Sequence, residues 1–169
     1  LGPGELHDLC DATDAAIQAG GGFGWVDTPE RDTLERYWRG VLTMPSRLLF
    51  VARLDNVICG SAQLLIPPKN NEAQSFAVQL TGFFLAPWAR GHDLGELLLE
   101  TAEKTARKEG FSVMNLDVRQ TQTAAIGLYE KAGYVKVGTH PYYAQVHGEV
   151  VPGYYFHKVI NPDILDKPE

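Results

Sequence analysis

The sequence predicts an α/β domain of the α+β kind, built on a mixed sheet, and three observations carry that expectation. Apolar spacing changes along the chain in the order ααβββαβαββ. The run Phe83-Phe84-Leu85-Ala86-Pro87-Trp88-Ala89-Arg90-Gly91-His92-Asp93-Leu94-Gly95 reads as a strand, a tight turn and a helix start. The 169 residues, 44% hydrophobic and 21% charged, hold enough apolar material for one core, so residues 1–169 are expected to form one domain.

Residues 6–19 place Leu6, Leu9, Cys10, Ala16 and Ile17 at helical spacing, and Gly20-Gly21-Gly22 ends that helix in a flexible loop. Thr28-Pro29-Glu30 combines a capping residue, a proline suited to the first helical position and an early acid. It opens a second helix with Leu34, Tyr37, Trp38, Val41 and Leu42 on one stripe, stopped by Pro45. The β-rich runs 48–54 and 57–66 meet at Asp55-Asn56, which predicts a tight hairpin. Pro67 and Pro68 close it, and a polar loop leads to a third strand over 76–85, with Ala77, Gln79, Thr81, Phe83 and Leu85 expected on one face. Residues 96–110 form the clearest helix, with Leu94, Leu97, Leu98, Thr101, Ala102, Thr105 and Ala106 expected inward and Gly110 as its C-terminal cap. A strand over 111–118, a helix over 123–132 and paired strands over 134–139 and 154–160, around a Gly148/Pro152 turn region, complete the chain.

The formal charge of −6 and pI near 5.3 argue against a nucleic-acid partner, which a basic face would be needed to hold, and fit an amine-bearing small substrate better. Cys10 and Cys59 are the only cysteines, so neither a disulfide framework nor a metal cluster is expected and the compartment is read as cytoplasmic. His140, His147 and His157 lack the tight spacing and acidic companions of a metal site. No apolar run reaches the ~20 residues that span a bilayer, so no membrane partner is expected. The turn at 90–95 carries the sharpest functional signal. A turn that opens a helix aims unpaired N–H groups and the positive end of the helix dipole at one point, which suits a phosphate.

Arg90-Gly91-His92-Asp93-Leu94-Gly95 resembles the Gln/Arg-x-x-Gly-x-Gly/Ala signature of the GNAT superfamily of N-acetyltransferases. Leu85-x-Pro87 before the turn, Leu116-Asp117-Val118, and Ala125-Ile126-x-Leu128-Tyr129-Glu130-Lys131-x-Gly133-Tyr134 resemble the family's later segments, so the likeness covers about residues 76–160. It implies the GNAT fold, a mixed central sheet splayed near its middle and flanked by helices on both faces. The family's usual first strand would lie before Leu1 or be absent. The resemblance also implies acetyl-CoA as cofactor, with pyrophosphate at the helix start and pantetheine in the splay. Residues 116–155 loosely resemble toxin- and antibiotic-resistance members of the family that acetylate small molecules. A homodimer is common among such relatives.

The expected cofactor contacts are Phe84, Leu85, Arg90, Gly91, His92, Asp93, Leu94, Gly95 and Gln122. Gly91 and Gly95 allow close backbone approach, and Arg90 can pair with a phosphate oxygen. Asp93 stands where the family pattern has glycine. Unit charges ~5 Å apart repel by roughly 3 kcal/mol at an effective dielectric near 20, and by less if the carboxylate faces water. Asp93 therefore either weakens the cofactor site or turns away to cap the helix. His92 stands where the family often has Lys or Arg, and Gln122 where it often has Asn.

Tyr129 shares a helical stripe with Ala125 and Ala132, which alone reads as packing. By resemblance it is the general acid that protonates the departing thiolate, a role its phenol suits because its pKa lies near that of a thiol. Gln79, nearest the place of the Glu many relatives carry, cannot accept a proton. Asp117 is the remaining candidate base, because Val113, Asn115 and Asp117 share the polar side of their strand. Its alternatives are to fix a loop or to pair with Arg119. Tyr142-Tyr143 and Tyr154-Tyr155 are expected either to line a substrate mouth or to pack on the sheet. No serine or cysteine nucleophile has a paired base, so direct transfer to an amine is the expected reaction. The alternative is a catalytically weakened module that binds CoA or a partner.

Overall fold

A computed structural model gives the architecture and describes residues 1–21 and 23–164. Two helices, α1 (Pro3–Gln18) and α2 (Arg31–Thr43), precede the strands β1 (Arg47–Leu54), β2 (Val57–Leu65) and β3 (Ala77–Leu85). Helix α3 (Leu94–Lys108), strand β4 (Val113–Arg119), helix α4 (Thr123–Lys131) and the hairpin β5 (Val135–Val146) and β6 (Glu149–Val159) follow. One six-stranded sheet runs β1-β2-β3-β4-β6-β5. Only β3 and β4 pair in parallel, because α3 carries the chain across the sheet between them. None of the described helices is long and apolar enough to cross a membrane.

Helices cover both faces of the sheet, each over its own core. On one, Leu9, Cys10, Ile17, Leu34, Trp38 and Ile58 hold α1 and α2 against β2. Trp38 donates its ring N–H to Thr13 Oγ1 at 3.1 Å, and Thr13 donates to the Leu9 carbonyl, so this buried polar pair is satisfied. On the other face Leu98, Leu99, Ala102 and Ala106 of α3 pack against Leu64, Val78, Leu80 and Met114. The buried stripe of α3 is rotated from the expected one. Leu97 is 55% exposed and Thr101 faces solvent, while Leu99 and Glu103 are buried. Glu103 is tolerated there because Lys158 Nζ donates to both its carboxylate oxygens at 3.0 Å. Helix α2 starts at Arg31, later than Thr28-Pro29-Glu30 predicts, and Leu42 lies outside its buried stripe.

Two irregularities shape the interior. Strands β3 and β4 pair only at Ala77↔Val113, Val78↔Met114 and Gln79↔Asn115, and then part. Past that point β3 remains bonded to β2, so one edge of residues 80–85 is open. Within that stretch Ser61 faces Phe84 while Gln63 faces Thr81, so β3 carries one extra residue, a bulge at Gly82 with φ +57°. The bulge reverses the alternation. Phe83 and Leu85 join the face of Val78 and Leu80, while Phe84 turns to the α1/α2 face against Phe23, their rings 4.8 Å apart. The single face expected for residues 77–85 is therefore broken at Gly82.

The final hairpin is longer than expected and turns at His147-Gly148, both at positive φ, as a two-residue hairpin turn requires. Pro152 lies inside β6 rather than in the turn. His140 faces Gly153 and Ala144 faces Val151, so residues 141–143 bulge out opposite Pro152, where a missing N–H costs no ladder bond.

A side chain at Gly82 has no room. A Cβ would stand 2.7 Å from Gln63 Nε2, and Gln63 is fixed by Arg47 at 2.7 Å and by the Tyr37 hydroxyl at 3.0 Å. Gly82→Ala is expected to cost ~2 kcal/mol or more, from the left-handed backbone and the displaced Gln63. Urea unfolding measures it, and an unchanged midpoint would show that the bulge does not need glycine.

Candidate active site

Where β3 and β4 part, the sheet opens into a cavity of about 710 Å3. Its walls come from residues 79–85 of β3, 117–119 of β4, one face of α4 from Ala124 to Tyr129, residues 143–146 of β5 and the loop between α1 and α2. The open β3 edge supplies backbone N–H and C=O groups without partners from β4.

At one end stands the turn into α3. The first bond within the helix runs from Leu97 N–H to the Asp93 carbonyl at 3.1 Å, so the amides of Leu94, Gly95 and Glu96 have no helical partner. Arg90 is exposed and borders the cavity. Gly91 has φ +84° and nothing within 4 Å of its Cβ position, which leaves its backbone approachable. Gly95 has a different surrounding. Its Cβ position lies 3.2 Å from Leu128 Cδ2 and 3.5 Å from Leu85 Cδ1, so its smallness packs α3 against α4 and β3. Leu94 packs on the same core. Leu85 and Phe84 line the cavity, but the Phe84 ring points to the opposite face, leaving its main chain on this side.

His92 and Asp93 are both exposed. Asp93 occupies the position before α3 in the left-handed region, φ 57° and ψ 17°, and its carboxylate makes no capping bond. The capping expectation therefore fails: the residue sits at the cap position, and its side chain satisfies none of the helix amides. The left-handed backbone also accounts for the glycine that the resembling pattern places here.

Tyr129 borders the middle of the cavity and is only 5% exposed. Its ring packs against Phe83 at 5.7 Å and Tyr134 at 5.8 Å, so it is part of the core while it borders the cavity. Burial, reinforced by the Asp117 carboxylate, pushes the phenol pKa well up, which keeps its proton in place as a donor.

Opposite lies Asp117. Gln79 Nε2 donates to its Oδ1 at 2.9 Å and the Tyr143 hydroxyl donates to its Oδ2. Arg119 is not its partner. That guanidinium donates instead to the carbonyls of Phe23 and, at 3.4 Å, Gly21. Gln122 Nε2 donates to the Gly20 carbonyl, so both side chains pin the α1–α2 loop to the end of β4. Tyr143 reaches Asp117 because the bulge opposite Pro152 folds it back over β6. It crosses at Gly153, where any Cβ would run into the ring. Of the four hairpin tyrosines, Tyr143 alone lines the cavity, and Tyr142 is 77% exposed.

Phe23 was not singled out from the sequence, and Gln79 and Tyr143 were named there without the contacts they make with Asp117. Gln79 is a donor to the carboxylate rather than a failed base, a pairing across separated strands that no local pattern reveals. Tyr143 needed the hairpin register. Phe23 needed the loop's anchors, although a strand-interior glycine such as Gly82 is itself a signal for a bulge.

Residues 12–134 match the model of the acetyltransferase (GNAT) family. The chain is 61% identical over 122 residues to an uncharacterized N-acetyltransferase in the hisH-hisA intergenic region of Azospirillum brasilense, covering 72% of this chain and 73% of that one. It is 29% identical over 105 residues to the aminoglycoside N(6')-acetyltransferase type 1 of Klebsiella aerogenes, covering 62% and 69%. A phosphinothricin acetyltransferase from Sinorhizobium meliloti, solved in complex with AcCoA, superposes with a TM-score of 0.80 at 18% identity over 98% of this chain and 88% of that one. The mixed sheet flanked by helices is thus the fold of that structure as well.

Tyr129 and Tyr134, 5% and 4% exposed, both have pKa values raised chiefly by burial above the ordinary phenol value of 10.0. Above pH ~10 the unfolded chain releases these protons while the folded one retains them, so stability falls as pH rises, by about 1.4 kcal/mol per unit for each phenol. Tyr143 is raised in the same direction, so urea unfolding at pH 9 and 11 should show the loss from three phenols, and Tyr134→Phe should remove about a third of the tyrosine-linked part. Equal slopes in the two proteins would contradict the assignment.

Proposed function

Since the chain belongs to the acetyltransferase (GNAT) family, we propose that it moves an acetyl group from acetyl-CoA directly to the amine of a small molecule, with Tyr129 as general acid and Asp117 as proton acceptor. The observation that carries this reading is that one cavity holds the open edge of β3, a neutral buried phenol and a carboxylate on the facing strand, and is bordered at Arg90 by the turn that leads to the free amides of α3.

The residues fit acetyl-CoA. The amides at 94–96, the open Gly91 backbone and the Arg90 guanidinium suit a diphosphate. The unpaired edge of β3 suits an amide-bearing arm, which can pair with it as a strand would. Asp93 is exposed and bonds nothing at the helix start, so its carboxylate is free to face water, where its repulsion of a diphosphate is screened. Bound acetyl-CoA supplies a thioester carbonyl and a thiolate leaving group.

Each residue then has one task. Main-chain N–H groups of residues 80–85 polarise a carbonyl laid along the open edge. Asp117 accepts the amine's proton, directly or through one water, at lone pairs not used by Gln79 and Tyr143. Tyr129, which burial keeps protonated at neutral pH, donates to the departing sulfur, a less balanced transfer than the ordinary phenol pKa implies because the same burial raises its pKa away from a thiol's. No covalent enzyme intermediate is needed. The aminoglycoside-modifying relative supports a small-molecule acceptor, and the buried free thiols of Cys10 and Cys59 support a reducing, cytoplasmic compartment.

Tyr129→Phe removes the proton and leaves the packing. Measured by thiol release, kcat is expected to fall by ~10²-fold or more, while calorimetry gives an acetyl-CoA affinity within about two-fold of the parent. Unaltered turnover would take Tyr129 out of the reaction.

A further inference from the structure

The acceptor end of the cavity is poor in charge. Among the described residues Asp117 is the only carboxylate lining it, and of the two arginines Arg90 stands at the α3 end while Arg119 is held on the carbonyls of Gly21 and Phe23. From the α1–α2 loop and β5 the described lining is uncharged: Phe23, Val26, Ala144 and Val146 are apolar, and Gln145 adds a neutral amide. Each ammonium group of a polycation would need its own carboxylate or water to replace its hydration, and this end offers one carboxylate. From this we infer that the acceptor is a monoamine on a compact apolar body, and that Tyr143 is the residue that selects it. The inference rests on the transferase reading and sharpens its substrate class.

Tyr143 acts in two ways. Its hydroxyl holds Asp117 Oδ2 while Gln79 holds Oδ1, so the carboxylate is fixed between β3, β4 and β5 with its remaining lone pairs free for one ammonium group. Burial and that bond to Asp117 raise the Tyr143 pKa, so it stays a donor. Its ring, laid on Gly153 and edge-on to Tyr155 at 6.2 Å, forms the wall that limits the length of the amine's body. The selection is thus built from a glycine, a proline-matched bulge and a tyrosine on the hairpin, remote in sequence from the turn into α3.

The test uses wild type, Tyr143→Phe and Tyr143→Ala, with benzylamine, hexylamine and an aminoglycoside as acceptors in the thiol-release assay and calorimetry of acetyl-CoA alongside. Wild type is expected to use the monoamines in preference to the aminoglycoside. In Tyr143→Phe the KM for benzylamine should rise about ten-fold, as expected for the loss of one hydrogen bond to a charged group, while acetyl-CoA affinity stays within about two-fold. In Tyr143→Ala preference should move from benzylamine toward hexylamine. The inference is overturned if the aminoglycoside is the better acceptor, if no monoamine is used although acetyl-CoA binds, or if both variants keep the wild-type acceptor profile; each leaves the transferase reading standing. Failure of wild type to bind acetyl-CoA overturns both.

Discussion

The parting of β3 from β4 after three residue pairs is the constraint on which the rest of the molecule depends. A sheet that stayed paired would bury the β3 edge in a ladder and leave no cavity. Instead Met114, Leu116 and Val118 keep β4 in the core while its opposite side, carrying Asp117, faces the gap. The bulge at Gly82 turns the β3 side chains beyond the split so that Phe83 and Leu85 support Tyr129 and α4 while Phe84 anchors α1 and α2. Two cores, one on each face, hold the two halves apart. The opening therefore follows from packing on both sides rather than from any residue in the gap itself.

Much of this could be read from the chain. Gly20-Gly21-Gly22, Pro45, Asp55-Asn56 and Gly110 punctuate the sequence where elements end, and period-2 and helical spacing name the elements between them. The strand-turn-helix at Phe83 to Gly95 and its later companions pointed to the GNAT fold because those residues lie close together along the chain. What was unreadable depends on register. A one-residue bulge inverts the alternation of β3, and the inward stripe of α3 is displaced because a buried Lys158–Glu103 pair lets an acid into the core. Propensity and periodicity carry no information about a lysine that arrives from β6 to neutralise it.

The site divides in the same way. The positions of Arg90, Gly91 and Tyr129 were readable because local motifs carry them. Asp117 was readable as a polar residue on a central strand, but its neighbours were not, since Gln79 and Tyr143 come from two other strands. Asp93 shows the limit of residue-type reasoning. An aspartate before a helix suggests a cap, yet at that position the backbone is left-handed rather than extended as in a capping residue, and the carboxylate makes no capping bond. The cradle at α3 is made by main-chain groups, so it tolerates that substitution in shape, and the costs are the left-handed backbone of a non-glycine residue and the electrostatic repulsion.

The central claim is that the α3 turn and the open edge of β3 form one continuous binding surface for acetyl-CoA. An amide-resolved NMR titration of 15N-labelled protein with acetyl-CoA tests it most directly, because the groups in question are themselves amides. The account predicts the largest shifts at residues 91–96 and 80–85 together, with the two sets saturating at the same ligand concentration. Shifts confined to the shallow hollow at the other end of the sheet, beside Ser46, Pro68 and Asn115, or no shifts at residues 91–96, would contradict it.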